Sequence, residues 1–359
     1  MTTITDLFAG AGGSSTGATQ AGVTVRLAAN HWQTAIDTHQ LNHPGADHDC
    51  ADISQTDPSR YPRTDLLWAS PSCTHHSRAQ GKRRTTGPAE FAPHRGRVEW
   101  GEVRQSEPDR SRATMFDVIR FAEHHRYDGI IVENVPEVRE WPLYRWWLSA
   151  VTDGLGYRAR EDIVSAARCN QLGDAAPQDR RRLYVQFWRG SVAPKPIWQA
   201  EVMPGALTIL DEDPGPLIED RPRPLSNRTM ARIKATVDRH PHERRMIVSY
   251  YGSSKVGRAG REPLPTLTTH DRHAVITRCP DGLHYRMLTV AEQAAAMGFP
   301  GSYRFCGNRA DQVKQIGNAV CPPAARDIVA GLVDACGQAA ACGPSQLPQQ
   351  GRSTGQAPF

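Results

Sequence analysis

The chain has 359 residues, of which 39% are hydrophobic and 23% are charged. This composition is that of an ordinary globular protein and excludes a disordered or fibrous one, and the length suits one large α/β domain with a smaller one. The formal charge of +5 permits a polyanionic partner without requiring one.

The eight cysteines are scattered and form no CxxC pair, so they predict neither a disulfide framework nor a zinc ribbon. His48, Cys50, Cys73, His75 and His76 lack the paired spacing of metal ligands, and we expect no metal. The N-terminus has no charged-then-apolar leader, and no stretch has the length of a membrane span. We therefore expect a cytoplasmic protein that does not associate with a membrane.

The chain opens with a predicted strand, Thr3 to Phe8, followed by a glycine-rich turn at 9–17. Glycines let the backbone approach a ligand, and a helix starting near Ser14 directs free N–H groups at it. A nucleotide-type binding loop is predicted, with a nicotinamide cofactor as one alternative. The G-A-G-G spacing and the aromatic wall offered by Leu7-Phe8 disfavour that cofactor.

A second strand, 23–29, ends at Asn30-His31-Trp32. In nucleotide-binding α/β folds this position contacts ribose hydroxyls, and the tryptophan can stack on a purine. The alternative interpretation, of equal weight, is that the asparagine caps the next helix, predicted over 33–42, and that the tryptophan belongs to the core. A short strand then ends near Asp52, which is positioned to accept from an exocyclic amine.

The apolar run Leu66 to Ala69 predicts a buried parallel strand, which Ser70-Pro71 ends because proline cannot continue a ladder. Cys73 then lies at the carboxyl edge of the sheet, where catalytic groups gather in open α/β sheets. The alternative is a small buried hydrophobic residue, the common fate of a free cysteine. The basic, aperiodic segment 78–112 that follows predicts a mobile loop, either closing over a phosphate backbone or simply solvated.

A helix is predicted over 113–125, and a strand over 129–134 repeats the earlier pattern of a buried strand ending in a polar residue and a proline. Burying the ionised carboxylate of Glu133 is costly unless it is paired, which suits a functional acid. An aromatic-rich helix over 141–150 is expected in the core. Two strands, 160–168 and 182–188, then form a hairpin-like unit.

Between these strands lies Gln178-Asp179-Arg180-Arg181-Arg182, in which the first and third arginines share one side. From about 190 the chain is proline-rich and irregular, and 221–278 carries thirteen Lys/Arg against four Asp/Glu, the footprint of a nucleic-acid surface. A helix over 287–299 and a last helix, opened by Gln315 to Pro323 and running through Ala335, complete the fold. The tail is predicted to be disordered.

Five stretches, in chain order, resemble the motifs of the cytosine-C5 DNA methyltransferase family. They are Asp6-Leu7-Phe8-Ala9-Gly10-Ala11-Gly12-Gly13, Pro71-Ser72-Cys73 with Ser77, Glu133-Asn134-Val135, Gln178-Asp179-Arg180-Arg181-Arg182 and Gln315-Ile316-Gly317-Asn318-Ala319-Val320. The resemblance implies an α/β fold: a Rossmann-like S-adenosylmethionine-dependent methyltransferase sheet with a smaller, irregular target-recognition domain. The implied boundaries are 1–189 for the catalytic domain, 190–285 for target recognition, 286–336 for a C-terminal return and 337–359 for a disordered tail.

The resemblance also implies roles for individual residues. Cys73 would attack C6 of a flipped-out cytosine, Glu133 would bond N3 and the N4 amine, and Arg182 would face O2. Arg180 would support the loop or contact phosphates. The implied S-adenosylmethionine contacts are Phe8, Ala9, Gly10, Gly12, Gly13, His31, Trp32, Asp52, Ile53, Asn318 and Val320. The implied DNA contacts are Ser77, Lys82, Arg83, Thr266 and Leu267.

Three features depart from the family pattern: Ser72 replaces the usual proline, His31 replaces an acidic ribose-binding residue, and the loop after Cys73 is long. None removes a group that the chemistry requires, so we expect methyl transfer to duplex DNA by a monomer, alone or paired with a restriction nuclease. The alternatives are a tRNA cytosine-C5 methyltransferase, transfer of a modified sulfonium group (suggested only by His31) and a catalytically silent DNA-binding relative.

Overall fold

The structure is a computed structural model that describes residues 1–72, 107–197, 199–250 and 255–341, with the side chains of 107–112 and 338–341 left out. A seven-stranded sheet forms its centre, in the order β3-β2-β1-β4-β5-β8-β6. Its strands are β1 (Thr3–Leu7), β2 (Thr24–Asn30), β3 (Asp47–Cys50), β4 (Leu66–Ala69), β5 (Gly129–Asn134), β6 (Arg158–Ser165) and β8 (Arg181–Trp188). The first five run parallel, and β8 is antiparallel to both β5 and β6.

Eight helices accompany the strands of the described chain: α1 (Gly13–Gln20), α2 (Gln33–Asn42), α3 (Glu107–His125), α4 (Tyr144–Ser149), α5 (Asn227–Arg239), α6 (Val290–Met297), α7 (Arg309–Asn318) and α8 (Pro322–Ala341). Because side chains alternate along a strand, β4 serves both faces of the sheet. Leu66 and Trp68 pack with α1 and α8, whereas Leu67 and Ala69 pack with α3. The predicted α/β fold with a parallel-rich sheet is confirmed.

A second sheet, in the order β10-β9-β12-β13, lies within the later part of the chain. Its strands are β9 (Arg245–Ser249), β10 (Arg258–Ala259), β12 (His273–Cys279) and β13 (Gly282–Met287). It has its own small core with Ile233 of α5. A two-residue ladder joins β7 (Gln178–Asp179) to β11 (Leu264–Pro265). It links this region to the segment that precedes β8 of the central sheet. The domain boundaries themselves stay a prediction.

Two predicted elements near the C-terminus are corrected. Gln315 to Asn318 does not open the last helix but ends α7, whose start is fixed by reciprocal capping between Asn308 and Asp311. The last helix, α8, extends to Ala341, past the expected end at Ala335, so the first residues of the predicted disordered tail are helical. Residues 342–359 lie outside the described chain. Among the helices described, none combines the length and apolar character that a membrane crossing requires.

Candidate active site

The carboxyl ends of β4 and β5 meet because the two strands are parallel and in register, with Ala69 opposite Val132. β5 therefore delivers Glu133 to the edge at which β4 gives way to Ser70-Pro71-Ser72. Cys73 follows directly, but it lies outside the described residues, as do Ser77, Lys82 and Arg83. The structure thus describes the surroundings of the predicted nucleophile rather than the thiol.

Two hydrogen bonds hold the segment that leads to the cysteine. The Asn134 side-chain amide donates to the Pro71 carbonyl at 3.2 Å, and the Ser72 N–H donates to the Thr114 hydroxyl at 3.1 Å. Asn134 is buried, so its bond to Pro71 fixes the end of β5 against the end of β4. Ser72 stands where the family that the sequence resembles has proline, and its bond to Thr114 is one that a proline, which has no N–H, could not donate.

Glu133 is only 8% exposed, and its charge is compensated by Arg182. The Arg182 Nε lies 3.2 Å from Glu133 Oε1, and both side chains are largely buried. Arg182 belongs to β8, in which the antiparallel register sets Tyr184 opposite Glu133. The predicted acid and the predicted O2-facing arginine are thus brought together at one edge of the sheet.

Arg180 is also buried, at 3% exposure, and its guanidinium binds backbone rather than facing outward. It donates to the carbonyls of Leu267 at 3.2 Å, Gly317 at 3.0 Å and Ala319 at 3.0 Å. Of the two predicted roles, this geometry supports the holding of loops, because a buried guanidinium is not accessible to a phosphate. Arg180 thus joins Thr266-Leu267, called here the Thr-Leu segment, to the end of α7.

The Thr-Leu segment is also held by β7, the strand that directly precedes Arg180. The Leu267 N–H donates to the Gln178 side-chain oxygen at 2.9 Å, and the Thr266 hydroxyl donates to the Asp179 carbonyl at 3.1 Å. The Leu267 side chain is 2% exposed and packs in the main core. A DNA contact by this side chain is therefore not supported in this conformation, whereas one by Thr266 stays a prediction.

The glycine-rich turn has the backbone conformations that the sequence analysis required. Phe8, Gly10 and Gly12 have φ angles of 60°, 54° and 91°, the left-handed region that favours glycine. A Cβ placed at Gly10 would meet no atom within 4 Å, so the backbone there borders open space. One placed at Gly13 would lie 2.0 Å from the Val320 carbonyl oxygen, so the two predicted cofactor stretches are in direct contact.

A buried network of hydrogen bonds between polar side chains lies next to the glycine-rich turn. Asp6 accepts from the hydroxyls of Ser14 at 2.6 Å and Ser15 at 2.7 Å, and burial raises its pKa to about 6. The Ser15 hydroxyl also bonds Nε2 of His39 at 2.9 Å, and His39 Nδ1 lies 2.8 Å from His48 Nε2. Burial lowers the pKa of His39 well below its usual range, so its ring is neutral.

At the end of β2, the Asn30 side-chain oxygen accepts from the Trp32 N–H at 2.9 Å, while His31 is exposed. The Trp32 backbone, not Asn30, directly precedes α2. The Trp32 ring is partly exposed and carries the Lys314 ammonium 4.3 Å from its centroid, a cation–π contact. The ring is therefore positioned at the surface edge of the site rather than in the core.

The remaining predicted cofactor residues divide by exposure. Asp52 is exposed and caps a short 3-10 turn by accepting from the Ser54 N–H at 3.1 Å, whereas Ile53 is buried. Asn318 is exposed at the end of α7, and Val320 is buried beside Gly13. Backbone from α7, α1 and β2 thus surrounds the same edge of the sheet.

Sequence reasoning missed three contributors to this site: Lys314, His39 and Tyr303, whose hydroxyl donates to the Ala11 carbonyl in the turn. Tyr303 lies 292 positions along the chain from Ala11, so no local pattern connects them. The lysine and the histidine lie on helices whose apolar periodicity says nothing about their polar neighbours. Of the three, only His39 had a signal in the sequence. It lies on the predicted helix over 33–42, and its partner His48 lies on the strand that follows.

Comparison with known proteins identifies the family of the chain. A sequence model of the C-5 cytosine-specific DNA methylase family matches residues 2–333. The Type II methyltransferase M.HgiDI of Herpetosiphon aurantiacus is 27% identical over 88% of this chain and 89% of its own. The Type II methyltransferase M.NlaX of Neisseria lactamica is 28% identical over 91% of this chain and 95% of its own.

A solved structure of a putative DNA modification methyltransferase encoded within an Escherichia coli prophage superposes with a TM-score of 0.63. It covers 94% of this chain and all of its own at 18% identity, and at that level the likeness concerns the fold. The family match spans both the sheet edge that carries Glu133 and the α7–α8 junction behind Gly13. The chain accordingly belongs to the C-5 cytosine-specific DNA methylase family and is a DNA (cytosine-5)-methyltransferase.

Proposed function

We propose that the protein transfers a methyl group from S-adenosylmethionine to C5 of a cytosine flipped out of duplex DNA, with Cys73 as nucleophile. The observation that carries the proposal is the Glu133–Arg182 pair, held beside the segment that leads to Cys73. A carboxylic acid and a guanidinium at one point suit the N3, N4 and O2 edge of a cytosine. Sequence and family membership supply the thiol.

The described residues fit the proposed cofactor. Open space beside the Gly10 backbone lets a ligand approach the turn, and the N-terminus of α1 favours polar ligand groups there. The partly exposed Trp32 ring offers a stacking surface, and the exposed Asp52 and Asn318 offer hydrogen-bond partners at the same edge. When bound, S-adenosylmethionine supplies an electrophilic methyl group.

The chain's own residues would activate the cytosine. The Cys73 thiolate forms a bond to C6 while Glu133 holds the proton at N3, and the electron pair displaced from the C5–C6 bond makes C5 nucleophilic. After C5 has been methylated, loss of its proton to a base expels the Cys73 thiolate and restores the ring. Arg182 orients Glu133 and faces O2, and Arg180 holds the loops on either side.

The region 221–278 would read the DNA. Exposed cations on and around α5 give it positive charge that a phosphate backbone attracts. They are Arg223, Arg228, Lys234, Arg239 and Arg244. The two-residue ladder between β7 and β11 attaches this basic region to the segment that leads into β8, the strand of Arg182.

The proposal is tested by methyl transfer from labelled S-adenosylmethionine to mixed-sequence duplex DNA. We expect label in C5-methylcytosine with the wild type, none with Cys73→Ala, and full activity with Cys50→Ala, a matched exchange at an exposed cysteine of β3. Equal loss in both variants, or label retained in Cys73→Ala, would reject Cys73 as the nucleophile.

Parallel reactions separate the alternative substrates and roles. Label on tRNA but not on DNA would make the protein an RNA methyltransferase. DNA binding without label on either substrate would indicate a silent binder or a different sulfonium donor. The basic surface of the target-recognition region favours DNA.

We further propose that the enzyme protects DNA from a cognate nuclease, because the relatives M.HgiDI and M.NlaX are Type II methyltransferases. Methylated plasmid should resist at least one nuclease in a panel whose sites contain cytosine, while plasmid treated with Cys73→Ala is cut. Complete cutting by a panel that includes the mapped methylation site would exclude this role.

A further inference from the structure

We propose that the β12–β13 hairpin holds a transition-metal site, best suited to Zn²⁺, formed by Cys279, Asp281 and His284. Among the described residues, these three side chains bring a thiol sulfur, a carboxylate oxygen and an imidazole nitrogen within 4.8 Å of one another. None of them takes part in the proposed methyl transfer. The site is therefore additional to the catalytic one.

Hairpin geometry explains why the three side chains converge. Cys279 pairs with Gly282 across a two-residue turn, and His284 pairs with Thr277. Since residues two apart on a strand share a face, Cys279 lies on the face that carries Thr277 and its partner His284. Asp281 occupies the turn, with its carboxylate 3.0 Å from His284 Nε2.

The histidine is oriented as metal-bound histidines are. Its Nδ1 donates to the Gly215 carbonyl oxygen at 2.7 Å, while Nε2 faces the Asp281 carboxylate; a bound metal would replace the proton between Nε2 and that carboxylate. A backbone carbonyl on the second ring nitrogen is the usual outer partner of a metal-bound histidine. An isolated β-bridge between Leu217 and His284 holds that backbone segment against the hairpin.

The separations suit a small tetrahedral ion. Zn²⁺ bonds of about 2.0–2.3 Å to nitrogen, oxygen and sulfur set neighbouring ligand atoms roughly 3.3–3.8 Å apart. The two Asp281 oxygens lie 3.0 and 3.2 Å from His284 Nε2, and all three ligand groups lie within 4.8 Å of one another. Binding therefore needs a shift of a few tenths of an ångström by the carboxylate and of up to about 1 Å by the thiol. Cys279 and Asp281 are partly or fully exposed, which leaves an open approach for the ion and for water as the fourth ligand.

The mixed donor set points to zinc. A thiolate disfavours Mg²⁺ and Ca²⁺, which prefer oxygen ligands, whereas sulfur, nitrogen and oxygen together suit Zn²⁺. The metal would cross-link the two strands of the hairpin to the turn. Because β13 leads directly into α6, the metal is expected to have a structural role. It would stiffen the hairpin where the predicted target-recognition domain joins the C-terminal helices.

The test uses the full-length, tag-free protein titrated with Zn²⁺ against a chromophoric chelator, followed by Co²⁺ substitution. We expect one high-affinity site whose Co²⁺ form has a thiolate charge-transfer band. Cys279→Ser and His284→Gln should each weaken binding by about a hundredfold, since even outer-shell partners are worth about 10–100-fold. Cys306→Ser, a matched exchange at a partly exposed cysteine outside the hairpin, and Cys73→Ala should leave the affinity and the band unchanged.

Two results would overturn the proposal. One is the absence of binding by the wild type at concentrations that saturate a known zinc protein. The other is binding that survives in Cys279→Ser and His284→Gln while circular dichroism shows both variants folded. In the second case the metal lies elsewhere, and the Asp281–His284 contact is an ordinary hydrogen bond.

Discussion

Glu133 is the residue on which the proposed chemistry most depends, because it carries the only acid–base function assigned to the cytosine ring. Replacing it by glutamine keeps the shape but removes the proton donor and leaves the Arg182 guanidinium without its ionic partner. We expect kcat for methyl transfer to fall about a hundredfold or more, the usual range for a general acid.

The matched control is Glu123→Gln, an exposed glutamate on α3, which should retain wild-type kcat. Steady-state methyl transfer at saturating cofactor and DNA measures both variants. A kcat for Glu133→Gln equal to that of the control would remove Glu133 from the mechanism.

A second prediction at this scale concerns His43, the residue that directly follows α2. Burial lowers its pKa from 6.5 to about 4. Between these values the unfolded chain binds a proton that the folded protein does not, so the free energy of unfolding falls as the pH is lowered through the window. This one group costs up to about 2 kcal/mol between pH 7 and pH 5. Asp6, with its pKa raised to about 6, acts in the opposite direction over part of the range.

Comparison with His43→Gln isolates the histidine from Asp6, because the aspartate is present in both proteins. Urea unfolding at pH 7 and pH 5 should show the variant losing less stability than the wild type, while His31→Gln, at an exposed position, behaves like the wild type. Equal losses in all three proteins would show that His43 does not titrate as its burial indicates.

Among the elements, α1 and α8 pack closely at Gly17. A Cβ at Gly17 would lie 2.5 Å from both the Ala325 Cβ and the Pro322 oxygen, whereas one at Gly331 of α8 meets nothing within 4 Å. Gly17→Ala should therefore destabilise the protein by about 1–3 kcal/mol, as overpacking does. Gly331→Ala should be neutral or stabilise it by up to about 1 kcal/mol. Thermal or urea unfolding decides, and equal effects would contradict this account of the α1–α8 contact.

Elements that are closely followed by a proline were predictable from the sequence, because proline continues neither a helix nor a strand ladder. The helix over 33–42 has the predicted bounds, and the two apolar strands that end at Pro71 and Pro136 are β4 and β5. α7 was not predicted as a separate helix, because its last residues, Gln315 to Asn318, were assigned to the start of α8. Its own start is marked by the capping pair Asn308 and Asp311, a signal that does not depend on apolar periodicity.

At the scale of the whole molecule, Arg180 connects the region proposed to bind DNA with the region proposed to bind the cofactor. Its three carbonyl partners belong to the Thr-Leu segment and to the end of α7. Arg180→Lys cannot reproduce this planar set of donors. We expect S-adenosylhomocysteine binding without DNA and DNA binding without cofactor each to weaken about tenfold, or about 1.4 kcal/mol.

Arg181→Lys, at the exposed neighbouring position, is the control and should change neither affinity. Calorimetry and fluorescence anisotropy give the two binding constants separately. If only one of them changed in Arg180→Lys, Arg180 would support one loop alone and not join the two.

The site was predictable only in part, because its motifs are local but their supports are not. The order of the motifs named Glu133 and Arg182, and the antiparallel pairing of β5 with β8 brings these residues together. The sequence could not show that Arg180 faces backbone carbonyls or that Lys314 lies over Trp32, since both contacts join distant segments. The Cys279–His284 hairpin has no standard ligand spacing and becomes visible only when the strands pair.

The Gly13–Val320 contact also has a consequence for synthesis. Ile4, Ala18 and Val23 share one core with Ile328, Val329 and Leu332, so the residues of β1 and α1 must wait for those of α8 to be synthesised before that core closes. A product of interrupted translation would retain Cys73 and Glu133 but lack the backbone that packs against Gly13. Incomplete copies would therefore leave this core open to proteolysis, and the fold closes only when α8 has been synthesised.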